Sequence, residues 1–283
     1  MYQLSEKLVL KLPYQYPVNK APSREDAEEQ LDMSLRSLAL FRKEVAFYNL
    51  LDRNPHPNLA QRVPSKQISS IVLESFRSLQ SIWKPTSRDM HLLWVMQLVY
   101  ALEWLEGLGY THGDLKIDNM GIDEKNQLRL FDFGSVRRYD EDGFDEQVLE
   151  DHFSLATCIH FLVCGTDPLA RVESYAELRR RQADLKGGHG VVEEAARDFE
   201  QVVQAGWKEV PRPASSFSEL RKTIARIIGD IDSIARLRPE NVSSSLGPVD
   251  IVLVKQDMWL DEVDYRAAWV AQGYKVEPDD VYI

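Results

Sequence analysis

The stretch from Tyr110 to Gly134, YTHGDLKIDNMGIDEKNQLRLFDFG, constrains this chain more than any other. It sets His112, Gly113, Asp114, Leu115, Lys116 and Asn119 close together, and after an alternating apolar segment it brings Asp132, Phe133 and Gly134. The interval between Asp114 and Asp132 holds a loop, a short hairpin whose second strand runs from Leu128 to Phe131, and a tight turn. Phosphoryl transfer asks a protein for such groups: a carboxylate to orient the attacking hydroxyl, oxygen ligands for magnesium, and a cation near the transferring group. On that reading Asp114 orients or deprotonates the nucleophile, Asn119 and Asp132 hold the metal, and Lys116 neutralises developing charge.

H-G-D-L-K-x-x-N followed by D-F-G resembles the protein kinase superfamily, whose H-R-D-L-K-x-x-N and D-F-G motifs it matches with Gly113 in place of Arg. The resemblance implies an α+β, bilobal protein-kinase-like fold with a reduced N-lobe and a mainly helical C-lobe, ATP and Mg2+ as cofactors, and a hydroxyl acceptor. Other segments carry the likeness further. Leu8 to Leu12 reads as a short strand with Val9 and Lys11 on one face. It resembles the family's V-A-I-K strand, which implies that Lys11 contacts the α and β phosphates and Val9 lies against adenine, with Lys7 as a competing register. Leu31, Leu35, Leu38, Phe41, Val45 and Tyr48 recur at three and four, predicting an amphipathic helix from about Gln30 to Leu51 after a loop from Pro13 to Glu29. Glu44 and the following His56, Pro57 and Asn58 resemble the family's αC helix and its exit, so Glu44 is expected to pair with Lys11. Ile68 to Phe76 reads as a strand entering the hinge, with Leu73 near the gatekeeper position and Glu74 and Ser75 presenting backbone groups to adenine.

Beyond Phe76 the pattern turns helical, first from about Met90 to Leu108. After D-F-G the chain departs from the family. Asp151 follows Asp132 by nineteen residues, opens a segment resembling the long buried αF helix, and is expected either to brace the catalytic loop or to act as a plain helix N-cap. Helices are predicted over Tyr175 to Ala183, Val191 to Ala205 and Phe217 to Ile228, and Ala205 to Ala214 resembles the Trp-containing turn between late C-lobe helices. Ser243, Ser244 and Ser245, ahead of Gly247 and Pro248, read as a linker. It precedes a strand-like Asp250 to Lys255 and an aromatic helical stretch with Trp259, Tyr265, Trp269 and Tyr274. The predicted division is a reduced N-lobe over 1–76, a helical C-lobe over 77–246 and a C-terminal extension over 247–283.

Two family features are missing. The first glycine is Gly107, so no glycine-rich loop precedes Lys11, and no A-P-E lies between Asp132 and Asp151. Gly113 also removes the arginine that meets a phosphorylated activation loop in many relatives, which argues against activation by phosphorylation. Three functions stay open: a protein Ser/Thr kinase, a small-molecule hydroxyl kinase, and a silent pseudokinase that binds partners. The acidic run from Asp140 to Glu150 suits a basic acceptor peptide. A formal net charge of −11 argues against sequence-independent nucleic-acid binding. No apolar stretch reaches the roughly 18 residues of a membrane span and no signal-peptide pattern opens the chain, so a soluble, cytoplasmic protein is expected. Cys158 and Cys164 point different ways on one helix and suit buried thiols rather than a disulfide or a metal site.

Overall fold

The computed structural model describes residues 2–18, 20–21, 23–64, 70–208, 216–229 and 260–276. Its helices are α1 (Arg24–Leu51), α2 (Leu79–Ile82), α3 (Arg88–Gly107), α4 (Phe144–Cys164), α5 (Tyr175–Lys186), α6 (Glu200–Trp207), α7 (Phe217–Ile228) and α8 (Glu262–Ala271). The strands are β1 (Tyr2–Ser5), β2 (Leu8–Lys11), β3 (Ile71–Glu74), β4 (Arg77–Ser78), β5 (Tyr110–Thr111), β6 (Met120–Ile122), β7 (Leu128–Leu130) and β8 (Arg137–Arg138), all in small antiparallel sheets. Helix and sheet are thus mixed along the chain, as in α+β proteins. Two compact units divide it: of the described residues, the first takes those up to 54 with 61–75 and 260–276, and the second takes 55–60 and 76–229.

In the first unit the sheet order is β1-β2-β3. Leu10 faces inward with Val63 and Val72, while Val9 pairs with Leu73 and Lys11 with Ile71 on the opposite face. Helix α1 begins at Arg24, earlier than the expected Gln30. Ser23 accounts for this, because its hydroxyl accepts from the Asp26 amide at 3.1 Å, and Glu25 and Asp26 lie in the first turn, where the helix dipole favours negative charge. The apolar stripe Ala27, Leu31, Leu35 and Leu38 is covered by Tyr265 and Trp269 of α8. The Tyr265 hydroxyl lies 2.8 Å from the Tyr16 carbonyl and 2.9 Å from the Ser34 hydroxyl, so this aromatic patch is fixed in register as well as buried.

In the second unit α3 is buried along most of its length and packs against α4, α7 and β7. Helix α4 packs in turn on α6. Where one helix was expected over Val191 to Ala205, a 3-10 segment (Glu194–Phe199) leads into α6. The buried Ala196 and Phe199 stand three apart, a spacing that a 3-10 and an α-helix both place on one face. No helix among the described residues is long and apolar enough to cross a membrane. Trp259, the predicted strand Asp250 to Lys255, the serine linker, and the 68–69 and 209–214 parts of two other predicted segments lie outside the described residues.

Candidate active site

The loop bearing Asp114 is held from below by α4. The backbone N–H of His112 donates to Asp151 Oδ2 at 2.6 Å and that of Gly113 to Asp151 Oδ1 at 2.9 Å. The N-cap reading of Asp151 is therefore corrected. Helix α4 begins seven residues earlier, behind Gly143 at φ 75°, and Asp151 projects from its interior. Burial pushes the Asp151 carboxyl up to about 7, against the pull of those two amides. The fully buried His112 is pushed down to about 4 by desolvation, so its ring is neutral. With Nε2–H donating to the Phe131 carbonyl at 3.2 Å, Nδ1 is left to accept the Asp114 amide at 3.3 Å.

Two of the predicted residues, Lys116 and Asn119, meet Asp114. Lys116 Nζ lies 2.6 Å from Asp114 Oδ2, and Asn119 Nδ2 donates to the same oxygen at 2.9 Å and to the Asp114 carbonyl at 2.7 Å. Asn119 is buried and tied to the hairpin, because its carbonyl accepts the Phe131 amide at 3.0 Å. Asp132 follows in the left-handed region at φ 68°, ψ 72°, a conformation that costs a non-glycine residue roughly 1–2 kcal/mol and is held by its surroundings. Phe133, fully buried, packs edge-on to the His112 ring with centroids 5.6 Å apart.

The remaining predicted residues belong to the first unit. Lys11 Nζ meets Glu44 Oε2 at 2.6 Å, with the Glu44 side chain 1% exposed. Lys7 instead sits in the β1–β2 turn, where its carbonyl accepts the Ser75 amide at 2.8 Å. The Ser75 N–H is thus engaged within the first unit. Val9 and Leu73 share the Lys11 face of the sheet, and the Glu74 side chain lies on the other.

No family model matches the chain. Part of it is similar to the serine/threonine-protein kinase Genghis Khan of Drosophila melanogaster, 25% identical over 123 residues, which is 33% of this chain and 8% of that protein. A second likeness is to the serine/threonine-protein kinase MRCK beta of Homo sapiens, 25% identical over 144 residues, 40% of this chain and 8% of that one. A shorter stretch is 46% identical over 41 residues to the hormonally up-regulated neu tumor-associated kinase homolog B of Xenopus laevis, 14% of this chain and 6% of that protein. The chain thus spans under a tenth of the length of these relatives. The likeness supports a kinase-related chain over those stretches.

Two contributors escaped the sequence reading. Asn58, noted only as part of H-P-N, is buried and ties the hairpin down: its side-chain amide donates to the Leu128 carbonyl at 3.1 Å and its carbonyl accepts the Leu130 amide at 2.9 Å. Gln147 lies in the acidic segment and gave no signal, because its role depends on a contact with a loop distant in sequence. Gly113, by contrast, could have been anticipated as a position that needs φ above zero; it sits at 78°.

Proposed function

We propose that this chain is a magnesium- and ATP-dependent phosphotransferase acting on Ser or Thr hydroxyls. The observation that supports this most is the arrangement of Asp114. Lys116 and Asn119 both bond its Oδ2, so Oδ1 is the edge from which it would accept a hydroxyl proton. ATP with magnesium supplies the phosphoryl group when bound. The donor set fits a hard cation: Asn119 spends its Nδ2 on Asp114 and so has Oδ1 for a metal, and Asp132 adds a carboxylate. No group of three or more His, Cys, Asp or Glu able to hold a metal occurs among the described residues, so an ion would draw its other ligands from water and phosphate, as magnesium often does. Lys116 would shift from Asp114 toward developing charge, and Glu44 would hold Lys11 extended toward phosphates. A protein acceptor basic around its hydroxyl would complement Asp140, Glu141, Asp142, Asp145 and Glu146.

The test is a magnesium-dependent ATP titration followed by turnover on a peptide array. Asp132→Asn is expected to weaken magnesium-dependent nucleotide binding, and Asp114→Asn to spare binding and depress turnover. A wild-type chain that neither binds ATP with magnesium nor turns it over would overturn the reading. Turnover on small alcohols with none on peptides would replace the acceptor class.

A further inference from the structure

One turn before Asp151, α4 carries Gln147, which faces the same loop. Its Nε2 donates to the carbonyl of Ser135, the residue that follows D-F-G, at 3.2 Å. The same amide occupies the space beside Gly113: a Cβ built on Gly113 would collide with Gln147 Nε2 and with the Ser135 carbonyl oxygen. Glycine is thus required at 113 by the left-handed backbone and also by the side chain lying across it. Gln147 Oε1 is buried and accepts no hydrogen bond among the described residues, so the amide's orientation is dictated by the Ser135 carbonyl. Two side chains at i and i+4 on one helix face therefore grip two loops, Asp151 the amides of 112 and 113 and Gln147 the carbonyl of 135. The pairing of β5 with β8 closes the same ring through Thr111 and Arg137.

We propose that Gln147 is a positioning residue that sets the Asp132 turn against the Asp114 loop without any modification of the intervening segment. Its catalytic consequence rests on the phosphotransferase reading, but its structural consequence does not. Without the Gln147 donor, the turn that presents Asp132 keeps its sequence and loses its register to the loop.

Two variants separate the outcomes, both good helix formers at a half-buried site: Gln147→Met keeps length without a donor, and Gln147→Glu puts an oxygen opposite an oxygen. Hydrogen exchange without nucleotide should be roughly fivefold faster across 133–138 in the Met variant and faster still in the Glu variant, with exchange in α3 unchanged. In magnesium-dependent ATP binding, both should need several-fold more magnesium for half-saturation, and added magnesium should restore binding, a rescue that a loss of fold would not give. Unchanged exchange across 133–138 in both variants overturns the proposal, as does acceleration spread evenly over the second unit. If exchange changes as expected while the wild type binds no nucleotide, Gln147 keeps its positioning role and the phosphotransferase reading falls.

Discussion

Asp151→Asn, followed against pH, tests how α4 holds the loop that carries Asp114. Burial raises the carboxyl from 3.8 to about 7, which corresponds to roughly 4 kcal/mol between the two protonation states. Between those values the folded chain keeps a proton that the unfolded chain has released, so stability falls as pH rises, fully present below 3.8 and lost on passing 7. Roughly 3 kcal/mol of that loss falls between pH 5 and 8. Asparagine keeps the shape but turns an NH2 toward one of the two backbone amides of 112 and 113, costing roughly 1–3 kcal/mol independently of pH. Urea unfolding of both chains from pH 5 to 8, with the two stabilities subtracted, isolates residue 151. His56, His112 and His152, all pushed down to about 4 by burial, and the neighbouring Glu150 and Asp114 are present in both chains and largely cancel. The wild type should lose roughly 3 kcal/mol relative to the variant between pH 5 and pH 8, whichever chain is the more stable at the start. Parallel stability profiles across this range would refute the reasoning, because they would place an ionised carboxylate under the loop throughout.

Breaking the Lys11–Glu44 pair with Lys11→Met should cost roughly 3 kcal/mol in chemical unfolding, since it leaves a carboxylate 1% exposed beside an apolar side chain, and Glu44→Gln should cost less because Lys11 is 20% exposed. Equal losses would show that burial does not govern the pair. Trp269→Ala should cost roughly 3–5 kcal/mol and speed hydrogen exchange in the first half of α1, which that ring covers; a loss under 1 kcal/mol would mean α8 adds little to this core. Cys158, fully buried with its thiol pushed well above the ordinary range, should react with iodoacetamide at pH 8 only after unfolding, while the half-buried Cys164 should react first; prompt labelling of Cys158 in the native chain would contradict its burial.

Much of the candidate site was legible because its geometry is local. Asp114, Lys116 and Asn119 lie within one loop, and the hydrogen bonds of Asn119 to Asp114 span five residues, a distance the backbone can hardly fail to close once the hairpin forms. The helical period likewise placed α3 and α7 within a few residues, while α1 begins six residues before the expected Gln30 because of its cap, and apolar spacing did not separate the 3-10 segment Glu194–Phe199 from α6. Glu44 was singled out as the partner of Lys11, thirty-three residues away, by the segment's resemblance to the kinase αC helix rather than by charge or spacing. What the sequence did not determine is which surface each apolar stripe covers. The Tyr265 and Trp269 face could pack on any complementary stripe, and only the tertiary structure puts it on Ala27 to Leu38, because hydrophobic burial is non-directional and the choice among partners falls to shape and to the Tyr265 hydrogen bonds with Tyr16 and Ser34. Gln147 follows the same logic: unlike Asp151, which the resemblance already offered as a brace, a glutamine in an acidic helix is ordinary until packing brings the carbonyl of 135 within hydrogen-bond range, and that approach is decided by contacts spread across the whole unit rather than by the residues beside it.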